Sequence, residues 1–494
     1  MPSMTSKNQA EKAFQSTIAI IGGGFTGAML AVQILQKAGD GDQVVLIERS
    51  TVPGRGVAYG TQFDGHLLNV RARNMSAYPD VPDHFVKWAQ QHYSPDVKPD
   101  DFLPRSLYGR YIAAQFQAAI QAYPGKIRCI QDECVSLHRQ PGFARIGLAS
   151  GRVVIADKVV LAVGHFPPGD LFLPGKTADS PRFVPNPWSL NACSDLKQDD
   201  SVLLIGSGLT SVDVVIELRA RGFKGHIHIL SRRGLLPNRH KAITPLPSSW
   251  LGNHPRTVRE LLRMVRLQIK LAEARGSDWR AVIDSLRPVT QQIWQSLPRT
   301  EQRRFLRHLR TYWDVHRHRI AEPIARELAA QIQEGRIQTH AGRITEYRED
   351  CSGVDISYRS RKDKNKYKDK DRQTIRLRVS KVVNCTGPDN DYRRVGSPLL
   401  SDLLDKKFVR ADELSLGLDV AADGAVLDCQ GTPSDFLYAL GPLRKGNLWE
   451  TIAVPELRHQ VADLAELLCA DRYRRRKAPS PVTAESQLLT LLYR

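Results

Sequence analysis

The chain has 494 residues, 41% hydrophobic and 25% charged, the composition of a globular protein long enough for two or three domains. No apolar run approaches the roughly 18–20 residues needed to cross a bilayer, and Met1 to Ser16 is polar, so a soluble cytoplasmic protein without integral membrane association is expected. The net charge of +19 is concentrated in residues 236–320, 359–378 and 471–477, leaving the rest near neutral, which argues against nucleic-acid binding as the main function.

In chain order, Thr17 to Ile21 is a β-branched run that reads as a buried strand. It leads into Gly22-Gly23-Gly24-Phe25-Thr26-Gly27, a helical pattern over Ala28 to Lys37, and a second strand, Val44 to Ile47, that finishes at Glu48. Each part has a physical role in binding a dinucleotide. Gly22 permits the tight turn, Gly24 lets the backbone approach a pyrophosphate, and Gly27 lets helix and strand pack closely. The helix N-terminus offers unpaired N–H groups to phosphate, and Glu48 can accept ribose hydroxyls.

The pattern recurs. A strand over Ser201 to Ile205 is followed by Gly206-Ser207-Gly208-Leu209-Thr210-Ser211, a helix to about Arg221, and a strand from His226 to Leu230 that ends in Ser231-Arg232-Arg233. Ser211 replaces the third glycine with another small residue. By residue count Arg232 stands where the first unit has Glu48; by apolar alignment Ser231 does, with both arginines just after. In either case no carboxylate stands there, and arginine forks suit a 2′-phosphate. The alternative is that Arg232 and Arg233 are surface residues on a turn. Two such units fit a flavoprotein that reduces FAD with NADPH, and the second is read as the NADPH site.

The strand-glycine segments Val159 to Gly164, with Ala162, and Lys381 to Gly387 have the positions expected for crossings between an FAD and an NADPH domain. Between about 240 and 318 lies an insertion. Val258, Leu261, Leu262, Val265, Ile269 and Ala272 share one helical face, and Trp279, Val282, Ile283 and Leu286 suggest a second helix ended or kinked at Pro288. A cap packed on the core is the simpler reading; a lid over an anionic substrate and docking on a membrane surface are the alternatives. His316-Arg317-His318-Arg319 lacks the spacing and companions of a metal site; a cluster facing substrate or flavin competes with ordinary packing at a helix end. Arg361 to Arg372 reads as a solvated loop. Near the end, Asp435 to Pro442 reads as a strand entering a turn at Gly441, and Asn447 to Arg458 as the start of a helix facing a flavin. Seven cysteines with no Cys-x-x-Cys argue against a disulfide framework or a local redox pair, and burial is expected for Cys129 and Cys134.

The chain resembles the bacterial YdhS-like FAD/NAD(P)-binding proteins, relatives of flavin-dependent N-hydroxylating monooxygenases. The resemblance rests on Gly54 to Tyr59, Leu67-Leu68-Asn69-Val70, Met75-Ser76, Phe102 to Tyr111, His316 to Ala321, Leu448-Trp449-Glu450-Thr451 and Val454 to Arg458. It departs from flavin-containing monooxygenases at Phe183 to Trp188, where an F-x-G-x-x-x-H fingerprint is expected, and at Leu440-Gly441-Pro442, where an acid often stands.

The expected fold is therefore α/β, with two dinucleotide-binding domains and a helical insertion. Residues 1–195 and 381–494 would form the FAD domain and 196–380 the NADPH domain. Asn69, Val135, Trp449, Glu450 and Thr451 join the glycine motifs as expected cofactor contacts, and no residue stands out as an acid–base catalyst. The expected function is an FAD-dependent, NADPH-using oxidoreductase acting on a small molecule, an anionic one being favoured by the basic insertion. Oxygenation of a nitrogen or sulfur is the leading outcome. An NADPH:acceptor reductase and a slow redox-sensing or scaffold flavoprotein are the alternatives.

Overall fold

The computed structural model describes residues 16–37, 39, 41–189, 192–252, 256–361 and 373–477, with side chains to residue 470. The expected solvated loop at 361–372 lies, beyond Arg361, outside the described residues, as do all but the last residue of the polar stretch 1–16. The first part of the chain supplies β1 (Ser16–Ile21), β2 (Asp42–Glu48), β3 (Ile127–Gln131), β4 (Cys134–Gln140), β5 (Phe143–Leu148), β6 (Val153–Ala156) and β7 (Lys158–Leu161). The middle supplies β8 (Phe183–Val184), β9 (Val202–Ile205), β10 (Ile227–Ser231), β11 (Ile337–Glu349), β12 (Val354–Ser360), β13 (Thr374–Val379) and β14 (Lys381–Asn384). Two strands, β15 (Ala425–Leu427) and β16 (Pro433–Ala439), come from the C-terminal part.

These strands form a six-stranded sheet in the order β15-β16-β7-β1-β2-β3, a seven-stranded sheet in the order β13-β12-β11-β10-β9-β14-β8, and the three-stranded meander β4-β5-β6. The centres of both large sheets are parallel. That explains the unbroken apolar runs: Ile18, Ala19 and Ile20 are fully buried because helices cover one face and the meander β4-β5-β6 packs on the other. The helix Phe25–Lys37 is buried on nearly every side, between the helices Arg105–Ala122 and Val454–Lys477, whose Phe116, Ile112, Val461 and Leu464 share its core.

Sheet membership differs from the expected division of the chain at both ends of the middle unit. Phe183–Val184 pairs with β14, and β14 pairs with β9, so residues on either side of the expected 196–380 segment belong to the second sheet. The strand-glycine segment 381–387 therefore completes the second nucleotide-binding unit and leaves it only after β14. Of the paired cysteines, Cys134 is buried but Cys129 is exposed. β3 is an edge strand whose inward residue is Ile130, which turns the preceding side chain outward.

Among the described residues the insertion folds into five α-helices: Val258–Ala274, Trp279–Ser285, Thr290–Ser296, Arg299–His308 and Arg310–Arg317. Thr257 and Asp278 cap the first two, accepting from the backbone N–H groups of Glu260 and Arg280. Pro288 lies in a turn that separates the second helix from the third. Leu251, Ile283, Leu286 and Ile293 form a core of their own, with Leu261, Val265, Trp279 and Trp313 packed on it. On the expected apolar face of the first helix only Val258 and Ala272 are fully buried. The insertion docks on the C-terminal segment, where Trp294 Nε1 donates to the Gly446 carbonyl at 2.8 Å and Gln291 Nε2 to the Glu450 carbonyl at 2.8 Å.

Candidate functional site

The first glycine turn is built as its sequence requires. Gly22 has φ +101°, and a Cβ there would lie 2.4 Å from the Ala162 carbonyl oxygen, so the turn is pressed against the end of β7. A Cβ on Gly27 would lie 1.8 Å from the Gly22 carbonyl oxygen. Gly24 is different: a Cβ there would meet only Gly56 Cα, at 3.7 Å. The fold itself does not require a glycine at Gly24, so its missing side chain leaves space above the turn. Glu48 Oε2 accepts from Gly23 N–H at 2.5 Å and Oε1 from Ser50 N–H at 2.8 Å, which fixes the carboxylate with lone pairs to spare. The first-turn N–H groups of the helix that starts at Phe25 have no acceptors within it. A dinucleotide pyrophosphate and a ribose fit this donor and acceptor set.

The second turn repeats the construction. Gly206 has φ +113°, and a Cβ there would lie 2.3 Å from the Cys385 carbonyl oxygen at the end of β14. Ser211, fully buried, donates to the Gly208 carbonyl at 2.7 Å, so its hydroxyl is satisfied inside the turn. Thr210 is half-buried beside it, and a Cβ on Gly208 would meet nothing within 4 Å. Strand register settles which residue takes the place of Glu48. Ile21 pairs with Ile47, and Ile205 with Leu230, so Ser231 is the counterpart. Ser231 Oγ lies 2.8 Å from Ser207 Oγ and accepts from Gly234 N–H. Arg232 is exposed. Arg233 lies 4.7 Å over the Tyr312 ring and donates to its hydroxyl at 2.9 Å, tying this turn to the insertion.

A third group of residues assembles where the C-terminal segment meets the first turn and the insertion. Gly441, at φ +73°, lies against Thr26, and its carbonyl accepts from Thr451 Oγ1 at 3.1 Å. Thr451 accepts in turn from Gln460 at 2.8 Å. The long helix begins at Val454, later than its sequence suggests. Between a short helical turn at Lys445–Leu448 and that start, Trp449 holds φ +57°, an uncommon conformation for a bulky residue. Packing holds it there: Trp449 stacks on Trp294 at 5.0 Å and meets Phe305 edge-on at 5.2 Å.

The resulting turn buries Glu450, which accepts from Trp313 Nε1 at 3.1 Å and pairs with Arg317 at 3.2 Å. Burial alone would raise the Glu450 carboxyl, but Arg317, His318, Trp313 and Arg287 outweigh it and hold the group below its ordinary range. Arg287 donates to Glu456 at 2.7 Å. Burial, with Lys445 nearby, pushes His165 down to about 4, and burial lowers His318 as well. Lys445, 8% exposed, is lowered to about 8 by burial and then by Arg310. Arg287 Nη2, Arg317 Nε, Glu456 Oε2, Arg458 Nε and Gln460 Oε1 are buried here without hydrogen-bond partners. Such a concentration is costly in a sealed core and suits a polar ligand site.

The structure thus brings Gly22, Gly24, Phe25, Thr26, Gly27, Glu48, Ala162, Gly441, Trp449, Glu450 and Thr451 into one continuous region. Gly164, at φ +70°, leads directly to His165. Gly206, Gly208, Thr210, Ser211 and Gly387 gather at the second turn, Gly387 just after β14. Asn69 is placed beside the insertion, its carbonyl 3.0 Å from His240 Nε2, and Val135 sits at a register irregularity between Cys134 and Ser136 in the outlying meander. Sequence reasoning missed His165, Lys445, Arg310, Trp294 and Trp313. None belongs to a periodic or glycine motif, although His165 adjoins Gly164 and Lys445 lies between the two C-terminal segments already singled out.

Residues 19–166 match the model of a protein family described as FAD-NAD(P)-binding. Solved structures with the same fold span nearly the whole chain. An ornithine N-hydroxylase from Kutzneria sp. 744 is 13% identical, with 94% of this chain and 100% of that chain covered and a TM-score of 0.60. The ornithine hydroxylase of Pseudomonas aeruginosa is 14% identical over 92% of this chain and 99% of that chain, also at 0.60. The bacillithiol disulfide reductase of Bacillus cereus is 13% identical over 92% and 99%, at 0.52. No curated protein matches the chain in sequence. The fold is that of the two-domain FAD/NAD(P)-binding flavoproteins, with parallel sheets at the centre of both units.

Proposed function

We propose that this protein is an FAD-dependent, NADPH-using oxidoreductase of the cytoplasm that oxygenates a nitrogen or sulfur of a small molecule. The observation that carries the reading is the repeated turn: two units of the same construction, with Glu48 at the end of β2 in one and Ser231, Arg232 and Arg233 at and after the end of β10 in the other. The first unit would hold FAD through the helix N-terminus at Phe25, Thr26 and Gly27 and through Glu48, with Ala162, Gly164, Gly441 and Thr451 around it and Asn69 and Val135 further out. The second would hold NADPH through Gly206, Gly208, Thr210, Ser211 and Gly387, with Arg232 and Arg233 toward the 2′-phosphate. In this division the FAD unit takes the N- and C-terminal parts of the chain, and the NADPH unit the strands from β8 to β14.

Bound there, FAD supplies hydride acceptance from NADPH and electron transfer to oxygen. The protein's own contribution is placement and the exclusion of water. Trp449, Trp294 and Phe305 wall the seam, and Glu450, anchored by Trp313 and Arg317, fixes the turn that closes it. Ornithine hydroxylases are among the similar folds, which supports a nitrogen nucleophile as substrate. Transfer to another electron acceptor is the second reading, in keeping with the bacillithiol disulfide reductase among the similar folds, while the departures at Phe183 to Trp188 and at Leu440-Gly441-Pro442 favour a slow redox-sensing or scaffold flavoprotein as the third.

Stopped-flow absorbance of the FAD-loaded protein mixed with NADPH, then with oxygen and a panel of amines and thioethers, tests the proposal. Rapid flavin bleaching by NADPH followed by an oxygenated product is expected. Bleaching with release of hydrogen peroxide alone, whatever nucleophile is offered, turns the assignment to an acceptor reductase. Failure to take up FAD overturns both.

A further inference from the structure

Most cations around the seam have acidic partners. Arg317 pairs with Glu450, Arg287 with Glu456, and Arg319 with Asp284. Lys445 is the exception: its side chain has neither an ion pair nor a hydrogen bond among the described residues, although it is only 8% exposed. Its ammonium lies 5.5 Å from the centre of the Trp449 ring. The guanidinium of Arg310 lies 5.9 Å from the same ring and is held only loosely, at 3.5 Å from Asp314. Two cations thus approach one aromatic ring and repel each other, and Asp314 and Glu450, the carboxylates that act on Lys445, offset only part of the burial and repulsion. A buried cation without a partner is costly, and the fold has done nothing within hydrogen-bonding reach to relieve it.

We propose that Lys445 and Arg310 form a subsite for a carboxylate on the substrate, beside the Trp449 ring that both cations approach. The inference rests on the flavin reading of the seam and deepens it: the substrate is a small carboxylic acid rather than a simple amine or a neutral thioether. Lys445 belongs to the turn that carries Trp449 and Glu450, whereas Arg310 belongs to the insertion. The subsite is complete only where the insertion docks, which gives that basic element a specific task. An oxyanion of the cofactor itself is the other possible occupant, and the test separates the two.

The probe is benzoate, with benzamide as its uncharged counterpart, titrated into FAD-loaded protein while the flavin spectrum is followed. Saturable binding of benzoate but not of benzamide is expected. Lys445→Gln should weaken it at least tenfold, Lys445→Arg should retain most of it, and Arg310→Gln, a change at a partly exposed position, should weaken it with the fold intact by circular dichroism. Equal binding of benzoate and benzamide, or unchanged benzoate affinity in both Gln variants, overturns the subsite. Loss of FAD retention in Lys445→Gln with unchanged benzoate affinity assigns the cation to the cofactor and overturns it too. If the protein takes up no FAD, the flavin reading fails separately, and calorimetric titration of benzoate into the same protein still decides the subsite.

Discussion

Replacing Lys445 with Met should make the ligand-free protein more stable at neutral pH. Lowering the ammonium from its ordinary 10.5 to about 8 corresponds to a cost of about 3 kcal/mol for holding the charge in the fold, at about 1.36 kcal/mol per tenfold change in proton affinity. Below about 8 both folded and unfolded chains carry the proton, so the full cost is present. Between about 8 and 10.5 the folded chain sheds it first, and stability rises with pH through that window. Methionine has a similar length and no charge; losing the buried cation–aromatic contact with Trp449 offsets about 2 kcal/mol. The net expected gain is therefore about 1 kcal/mol at pH 7, shrinking toward zero by pH 10. Urea unfolding of wild type and Lys445→Met at a series of pH values, read by tryptophan fluorescence, measures it. A variant no more stable than wild type at pH 7, or a gain that does not change with pH, refutes the reasoning.

Gly22→Ala and Gly24→Ala should separate folding from binding. The first meets the Ala162 carbonyl at 2.4 Å with φ +101° and should cost about 2 kcal/mol or more in urea unfolding. The second meets ordinary contacts only and should leave unfolding unchanged while weakening FAD retention at least tenfold, as measured by equilibrium dialysis. Arg232→Ala with Arg233→Ala should reduce the NADPH/NADH preference at least tenfold in steady-state kinetics; an unchanged preference would show that the arginines are surface residues. Ser231→Glu puts a carboxylate at the counterpart of Glu48 and should weaken NADPH while leaving FAD content unaltered. Arg105 grips Asp213 with both terminal guanidinium nitrogens, Nη1 and Nη2, at 2.6 and 3.1 Å, and joins the first unit to the helix Leu209–Ala220. Arg105→Ala leaves that carboxylate buried and should lower stability by about 3–5 kcal/mol, readable as a fall in the urea midpoint.

What was legible in the sequence is what local physics dictates. Gly22, Gly24 and Gly27 are fixed by one turn and one helix start, and Ile18 to Ile20 by burial on two faces; a short window holds the whole cause. The equivalence of Ser231 with Glu48 needed strand register, because residue count and apolar alignment give answers that differ by one. Cys129 was misread because the sequence does not say that β3 lies at an edge. Sheet membership near 380 is not legible in the sequence because Lys381–Asn384 looks the same whether it opens one unit or closes the other; its pairing with β9 puts it in the second sheet.

The seam was least legible, for a reason that bears on its function. His165, Lys445, Glu450, Arg310 and Arg317 come from three stretches of chain, and each has an ordinary local sequence. Their significance is a property of the assembly, where Trp449 is held at φ +57° by Trp294 from the insertion and Phe305 from its next helix. A left-handed tryptophan costs free energy that local sequence does not repay. So do a buried lysine with no ion pair or hydrogen bond among the described residues and orphaned arginine, glutamate and glutamine atoms within the same shell. In a part of the fold with only a structural task, apolar residues of similar volume would be the more stable choice. Several unfavourable features coincide where the first turn, the C-terminal segment and the insertion meet, which is what a site shaped for a ligand would show, and the proposed chemistry is therefore placed there rather than at either glycine turn alone.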